Sequence, residues 1–163
     1  MSVLIVSSSK GNNYKLAKSI GSLLTIDYKI ISLEDFKLPL FYPGGEDADD
    51  YIINNLVSEF KNVKGFIFCA PEYNYNIPPI LNNAITWISV KTDYWRDAFF
   101  EKKVLIATHS GGPAFCFLSS FRSQLEHLGA IVHPRTIAVH RKAEFNSKSI
   151  KKILISFQNL IDL

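Results

Sequence analysis

Val3-Leu4-Ile5-Val6, then Ser7-Ser8-Ser9-Lys10-Gly11-Asn12-Asn13-Tyr14, then Leu16, Ala17, Ile20, Leu23 and Leu24 on a 3.6-residue period: this opening decides the reading of the chain. A short apolar strand runs into a polar loop, and the loop runs into an amphipathic helix. The unit then recurs. Strand candidates follow at residues 28–33, 66–70, 104–108 and roughly 130–139, rich in β-branched or aromatic residues. Most are continuous apolar runs, as expected of strands covered on both faces. Helical faces alternate with them: Ile52, Ile53, Leu56, Val57 and Phe60; Leu81, Ala84, Ile85 and Ile88; Leu118, Phe121, Leu125 and Leu128; and Ile150, Ile153, Leu154, Phe157, Leu160 and Ile161. Pro78-Pro79 suits the start of the third helix, and Gly129 supplies a stop for the fourth. Five alternations predict an α/β fold, a parallel sheet with helices on both faces.

A chain of 163 residues with no shift in composition reads as a single domain, 1–163. Residues 33–50, with Pro39, Pro43, Gly44-Gly45 and four acids near the end, read as an irregular surface loop. Pro134 inside the last strand points to an edge position or a bulge. No apolar run is long enough for a membrane span, and the start has neither a basic flank nor the length of a signal peptide. The expectation is a cytoplasmic protein. A net charge of +3 with Lys and Arg scattered among the acids argues against nucleic acid as a partner. Cys69 and Cys116 lie in apolar surroundings and read as buried free thiols, and the four histidines show no metal-like spacing.

In open α/β sheets ligands bind beyond the carboxyl ends of the strands, where strand order reverses. Three loops there are unusual. The loop after strand one, residues 7–14, offers hydroxyls, amides, a lysine and free N–H groups at a helix start, a good phosphate cradle. An ordinary N-cap is the alternative, although it needs one such residue rather than several. Neither the P-loop pattern nor a G-x-G-x-x-G is present, so a phosphate monoester bound without metal fits best. The loop after strand three, Ala70-Pro71-Glu72-Tyr73-Asn74-Tyr75-Asn76-Ile77-Pro78-Pro79, is stiffened by three prolines and carries two tyrosines. It suits the polar edge and the faces of a flat heterocycle, or is simply a rigid connector. The loop after strand four, His109-Ser110-Gly111-Gly112-Pro113-Ala114, lets backbone approach a ligand closely or forms a tight turn. Ser110 lacks a nucleophile elbow, so hydrolysis is set aside. In the strand order 2-1-3-4-5 the three loops converge on one crevice, as a flavin mononucleotide would require.

The stretch Pro71-Glu72-Tyr73-Asn74, Ile77-Pro78, Leu81, Asn83-Ala84-Ile85 and Trp87 resembles the NAD(P)H-dependent FMN reductases of flavodoxin-like fold, which include quinone and azo-dye reductases. Ser8, Lys10 and Asn13 resemble that family's phosphate loop, Ser110-Gly111-Gly112 its third flavin loop, and residues 125–130 its helix end. The resemblance covers nearly the whole chain. It implies a three-layer sandwich around a five-stranded parallel sheet, with FMN as cofactor and NAD(P)H as co-substrate. Ser8, Lys10, Asn12 and Asn13 would hold the phosphate. Pro71, Glu72, Tyr73 and Asn74 would line the isoalloxazine, with Ser110, Gly111 and Gly112 on its other side. Hydride would pass through the flavin to a flavin, quinone or similar small acceptor. No side chain is expected as acid or base, and no metal. A homodimer or homotetramer is implied. The alternatives are an FMN-binding electron carrier or redox sensor without nicotinamide activity, and a cofactor-free interaction module. Departures from the pattern are Lys10 for arginine, a phosphate loop about one residue short, Tyr75 for glycine, Asn82 for lysine and Thr86 for aspartate.

Overall fold

A computed structural model describes residues 2–44 and 50–162. The chain alternates strand and helix: β1 Val3–Ser7, α1 Asn12–Gly21, β2 Tyr28–Ser32, α2 Asp50–Lys61, β3 Gly65–Cys69, α3 Pro79–Lys91, β4 Lys103–His109, α4 Phe115–His127, β5 Ile131–Val132, β6 Ile137–Val139 and α5 Ser147–Ile161. All strand pairs are parallel, in the order β2-β1-β3-β4-β5, with β6 also on β4. This is the expected flavodoxin-like sandwich with one difference: the sheet has six strands rather than five.

The sixth strand arises from the break anticipated at Pro134. β5 pairs with Lys103 and Val104, and β6 with Ala107 to His109, so they are two pieces of one edge strand along β4. Proline has no N–H to give the ladder. The chain leaves the sheet there, and buried His133 takes over the local polar bonding. Its Nδ1 accepts from the Arg135 N–H at 3.1 Å, and its Nε2 meets the Ser156 hydroxyl at 3.1 Å.

Alternation within each strand divides the core in two. Leu4, Val6, Phe66, Phe68, Val104 and Ile106 face α2, α3 and α4, whereas Val3, Ile5, Ile67, Cys69, Leu105 and Ala107 face α1 and α5. Both faces are covered, which explains why β1, β3 and the middle of β4 are apolar at successive positions. The first face is filled by phenylalanines; Phe60 lies 5.0 Å from Phe66, and Phe68 meets Phe121 edge-on at 5.0 Å. Such ring pairs are worth about 0.5–1.5 kcal/mol each beyond their burial.

The helix boundaries follow from local chemistry. Pro79 opens α3, where a missing N–H costs nothing. At the end of α4 Gly129 sits at φ +86, its N–H donates to the Glu126 carbonyl at 2.9 Å, and the Ala130 N–H donates to the Leu125 carbonyl at 3.0 Å. Those two bonds make a Schellman stop. On α3, the Trp87 indole and the Asn83 amide both donate to the Pro39 carbonyl, at 2.8 and 2.9 Å, and the Phe41 N–H donates to the Asn83 amide oxygen at 2.8 Å. The two side chains thus pin the irregular segment 36–44. Gly45 and the acids at 46, 47 and 49, read as the rest of that loop, lie outside the described residues.

Candidate functional site

β1 sits between β2 and β3, and the chain crosses from one side of it to the other. The order therefore reverses at its carboxyl end, the expected place for a crevice. A cleft of about 620 Å³ opens there. It is walled by the loops after β1, β3 and β4 and, in addition, by the loop after β6.

In the first loop Ser7 and Ser8 are buried and shape the backbone. The Ser7 hydroxyl donates to the Ser9 carbonyl at 2.7 Å, and the Ser8 N–H donates to the Cys69 carbonyl at 3.0 Å. Lys10 turns toward the single helical turn Leu33–Asp35. Its N–H donates to the Glu34 carboxylate at 2.7 Å, and its ammonium pairs with Asp35. The hydrogen bond and charge of Asp35 hold the Lys10 ammonium above its ordinary pKa. Ser9, Gly11, Asn12 and Asn13 line the cleft; Ser8 and Lys10 do not. Gly11 is the N-cap of α1, and no side chain caps that helix. The N–H groups of Gly11, Asn12 and Asn13 take no partner among the described residues. The loop's hydroxyls and amides are therefore not there as caps, and the positive end of the helix dipole is left open to the cleft.

Asn13 has another task. Its amide Nδ2 donates to the His109 carbonyl at 3.0 Å, and the His109 N–H donates to its Oδ1 at 2.8 Å. At 3% exposure this two-way clamp fastens the start of α1 to the end of β4.

The second and third loops are joined through Ser110. Its hydroxyl accepts from the Glu72 N–H at 2.8 Å and lies 2.9 Å from the Thr108 hydroxyl. The Glu72 carboxylate accepts the Phe117 N–H at 2.9 Å, closing the N-terminus of α4. Tyr73 and Asn76 exchange backbone hydrogen bonds of 3.2 and 2.9 Å around a two-residue turn, in which Asn74 (φ 50) and Tyr75 (φ 58) are both left-handed. Such a turn favours Asn first and Gly second, so tyrosine is strained at 75. Pro71, Glu72 and Tyr73 line the cleft, and Asn74 stands outside its lining. Ser110 and Gly111 line it, with Gly112 just beyond; a Cβ at either glycine would meet nothing within 4 Å. The protein leaves that space open, as close approach of a ligand requires.

Sequence reasoning missed Ser9, Gly11, His109 and the whole fourth wall: Val139, His140, Arg141, Glu144 and Phe145. The fourth wall has neither paired glycines nor a proline run. Its only signal was its place after a strand of the sheet. Both cysteines are free, as expected: Cys69 is buried, which pushes its thiol pKa up, and Cys116 is only half-buried. Among the described residues no cluster of His, Cys, Asp or Glu could hold a metal.

A family profile described as NADPH-dependent FMN reductase matches residues 1–144. The chain belongs to that family. Among curated relatives, the NADH:(hydroxy)cinnamate reductase subunit CrdA of Vibrio ruber is 34% identical over 101 residues, covering 62% of this chain and 46% of that protein. A quinone reductase of Escherichia coli is 27% identical over 113 residues, covering 67% and 58%. The chain thus matches about half the length of these relatives. The solved structure of FerB, an NAD(P)H:acceptor oxidoreductase of Paracoccus denitrificans, superposes with a TM-score of 0.80 at 21% identity, covering 99% and 97% of the two chains. That likeness establishes the fold.

FMN is the cofactor of the FMN reductase family and NAD(P)H its co-substrate. The cleft fits FMN on three counts. Its volume is in the range of cofactor sites. The uncapped start of α1 is a seat for a phosphate. The open space over Gly111 and Gly112, opposite the rigid Pro71–Tyr73 backbone, admits a flat ring.

Proposed function

We propose that this FMN reductase takes hydride from NAD(P)H and delivers electrons to a flavin, a quinone or a similar small acceptor. The observation that carries the reading is the union, in one cleft, of an open helix N-terminus with two cross-braced loops. The phosphate sits against the N–H groups of Gly11, Asn12 and Asn13. The isoalloxazine lies between Pro71–Tyr73 and Ser110–Gly111, and bound there FMN supplies all the electron chemistry.

The protein's part is to hold and shield. Fixed backbone N–H groups on the stiff loops favour negative charge on the ring without reorganising. The bond from the Glu72 N–H to Ser110 keeps the two walls at a set separation. No side chain acts as acid or base.

The test is direct. Purified protein is expected to be yellow, and NAD(P)H is expected to bleach it under anaerobic conditions, with colour restored by quinone or free flavin. A colourless protein that ignores added FMN would end the reading; a yellow one that NAD(P)H leaves unbleached would make it an electron carrier. We place the protein in the cytoplasm as a homodimer or homotetramer. The oligomer is supported by the exposed aromatic stretch of Tyr94, Trp95 and Phe100 and is checked by light scattering.

A further inference from the structure

We propose that Arg141, on the loop after β6, is the cation that recognises the FMN phosphate, in place of Lys10. The inference rests on the FMN reading above and adds a residue of this chain to it.

A phosphate monoester carries close to two negative charges at neutral pH. Helix N–H groups alone supply partial charges. Lys10 is already engaged on both its backbone and its side chain by Glu34 and Asp35, and it stands outside the cleft lining. Among the described residues lining the cleft, Arg141 is the sole lysine or arginine. Its guanidinium has no hydrogen-bond or ion-pair partner among the described residues.

The fold explains how so distant a residue comes to line the cleft that holds the phosphate seat. The Asn13 clamp sets the start of α1 over the end of β4. β6 is the next strand, and the Ser110 N–H donates to the Val139 carbonyl at 3.1 Å. Val139 and Phe145, on either side of the loop, border a depression together with Asn12, Lys15, Leu16 and Ser19 of α1. The loop therefore lies against the first turns of that helix. Reciprocal 2.9 Å bonds between His140 and Ala143 fold it into a tight turn that presents Arg141. A guanidinium gives two parallel donors to phosphate oxygens, which an ammonium cannot. The opposing charges in the cleft are Glu72, whose carboxylate is tied to Phe117, and Glu144, on the same loop as Arg141.

The experiment compares FMN with riboflavin, which lacks only the phosphate. Flavin-free protein is titrated with each by fluorescence quenching, using wild type, Arg141→Gln, Arg141→Lys and Lys10→Gln. Arg141→Gln is expected to weaken FMN binding roughly 10- to 100-fold, as loss of a charge-assisted pair does, and to leave riboflavin within about threefold. Arg141→Lys is expected to fall between, because the charge stays and the fork is lost. Lys10→Gln should keep both affinities within about threefold, because Lys10 stands outside the cleft lining. The riboflavin affinity of each variant reports that the cleft is still folded. If Arg141→Gln retains the preference for FMN over riboflavin, or Lys10→Gln loses it instead, the assignment is overturned while the FMN reading stands. A wild type that binds neither flavin overturns the FMN reading itself.

Discussion

Two helices begin at the same end of the sheet and differ in whether a side-chain carboxylate meets their start. At α4 the Glu72 carboxylate accepts one first-turn N–H, that of Phe117, and sets a negative charge at the helix start. At α1 nothing does so, although Ser7, Ser8, Ser9, Asn12 and Asn13 crowd its start. Instead Ser7 binds its own loop, and the Asn13 side chain reaches across to His109. Residues of the capping type are thus no guide to whether a helix is capped. A helix start that no side chain meets, beside a cleft, suits an external anion, and one that meets a carboxylate of the protein does not.

The comparison is best broken by making α1 resemble α4. Gly11→Asp puts a carboxylate at the open N-cap, where an added Cβ meets only the Ser9 hydroxyl at 3.8 Å. The variant should change stability by no more than a few tenths of a kcal/mol in urea unfolding and yet bind FMN about 100-fold more weakly through like-charge repulsion. Equal FMN affinity in a titration would show that the phosphate sits elsewhere. Asn13→Ala severs the clamp and leaves the half-buried His109 N–H and carbonyl without their partner, which should cost about 1–3 kcal/mol in urea unfolding.

The reverse change, opening α4 with Glu72→Ala, should cost about 1–2 kcal/mol. It should also weaken binding of riboflavin as much as FMN, because the frame rather than the anion seat is damaged. A loss confined to FMN would contradict the division of roles. Tyr75→Gly relieves the left-handed turn and should raise stability by about 1 kcal/mol, with the flavin site unchanged. A smaller effect is expected of pH. Burial raises the Cys69 thiol, so the folded state keeps its proton while the unfolded chain releases it above its ordinary value of 9.0. That contribution is complete below pH 9 and fades as the pH rises. A thiol reagent at neutral pH should accordingly modify Cys116 and spare Cys69 until the protein unfolds.

Much of the architecture was legible because burial on both faces leaves a plain mark: β1, β3 and most of β4 are apolar at successive positions, and the helices between them keep one face apolar. Pro134 likewise announced an irregular edge strand, though not that it would pair as two pieces. At the site, Asn12, Asn13, Pro71, Glu72, Tyr73, Ser110 and Gly111 were implied by the family resemblance, on loops already singled out by their unusual chemistry, and all line the cleft. Ser8, Lys10, Asn74 and Gly112 belong to the same loops but do not line it. Membership of a loop is written in the chain; the direction in which a side chain leaves it is set by partners far away in sequence.

The order of residues by itself determined the alternation of strand and helix, the two-sided core and the family, since these depend on periodicity and on local motifs. Tertiary structure alone decided that Glu34 and Asp35 would engage Lys10, that the Glu72 carboxylate would take a first-turn N–H of α4 while no side chain did so at α1, and that Arg141 would line the same cleft as Gly11, Asn12 and Asn13, more than a hundred residues earlier. Each of those outcomes is a contact between charges or hydrogen-bonding groups brought together only when the sheet is assembled, and no local pattern records it.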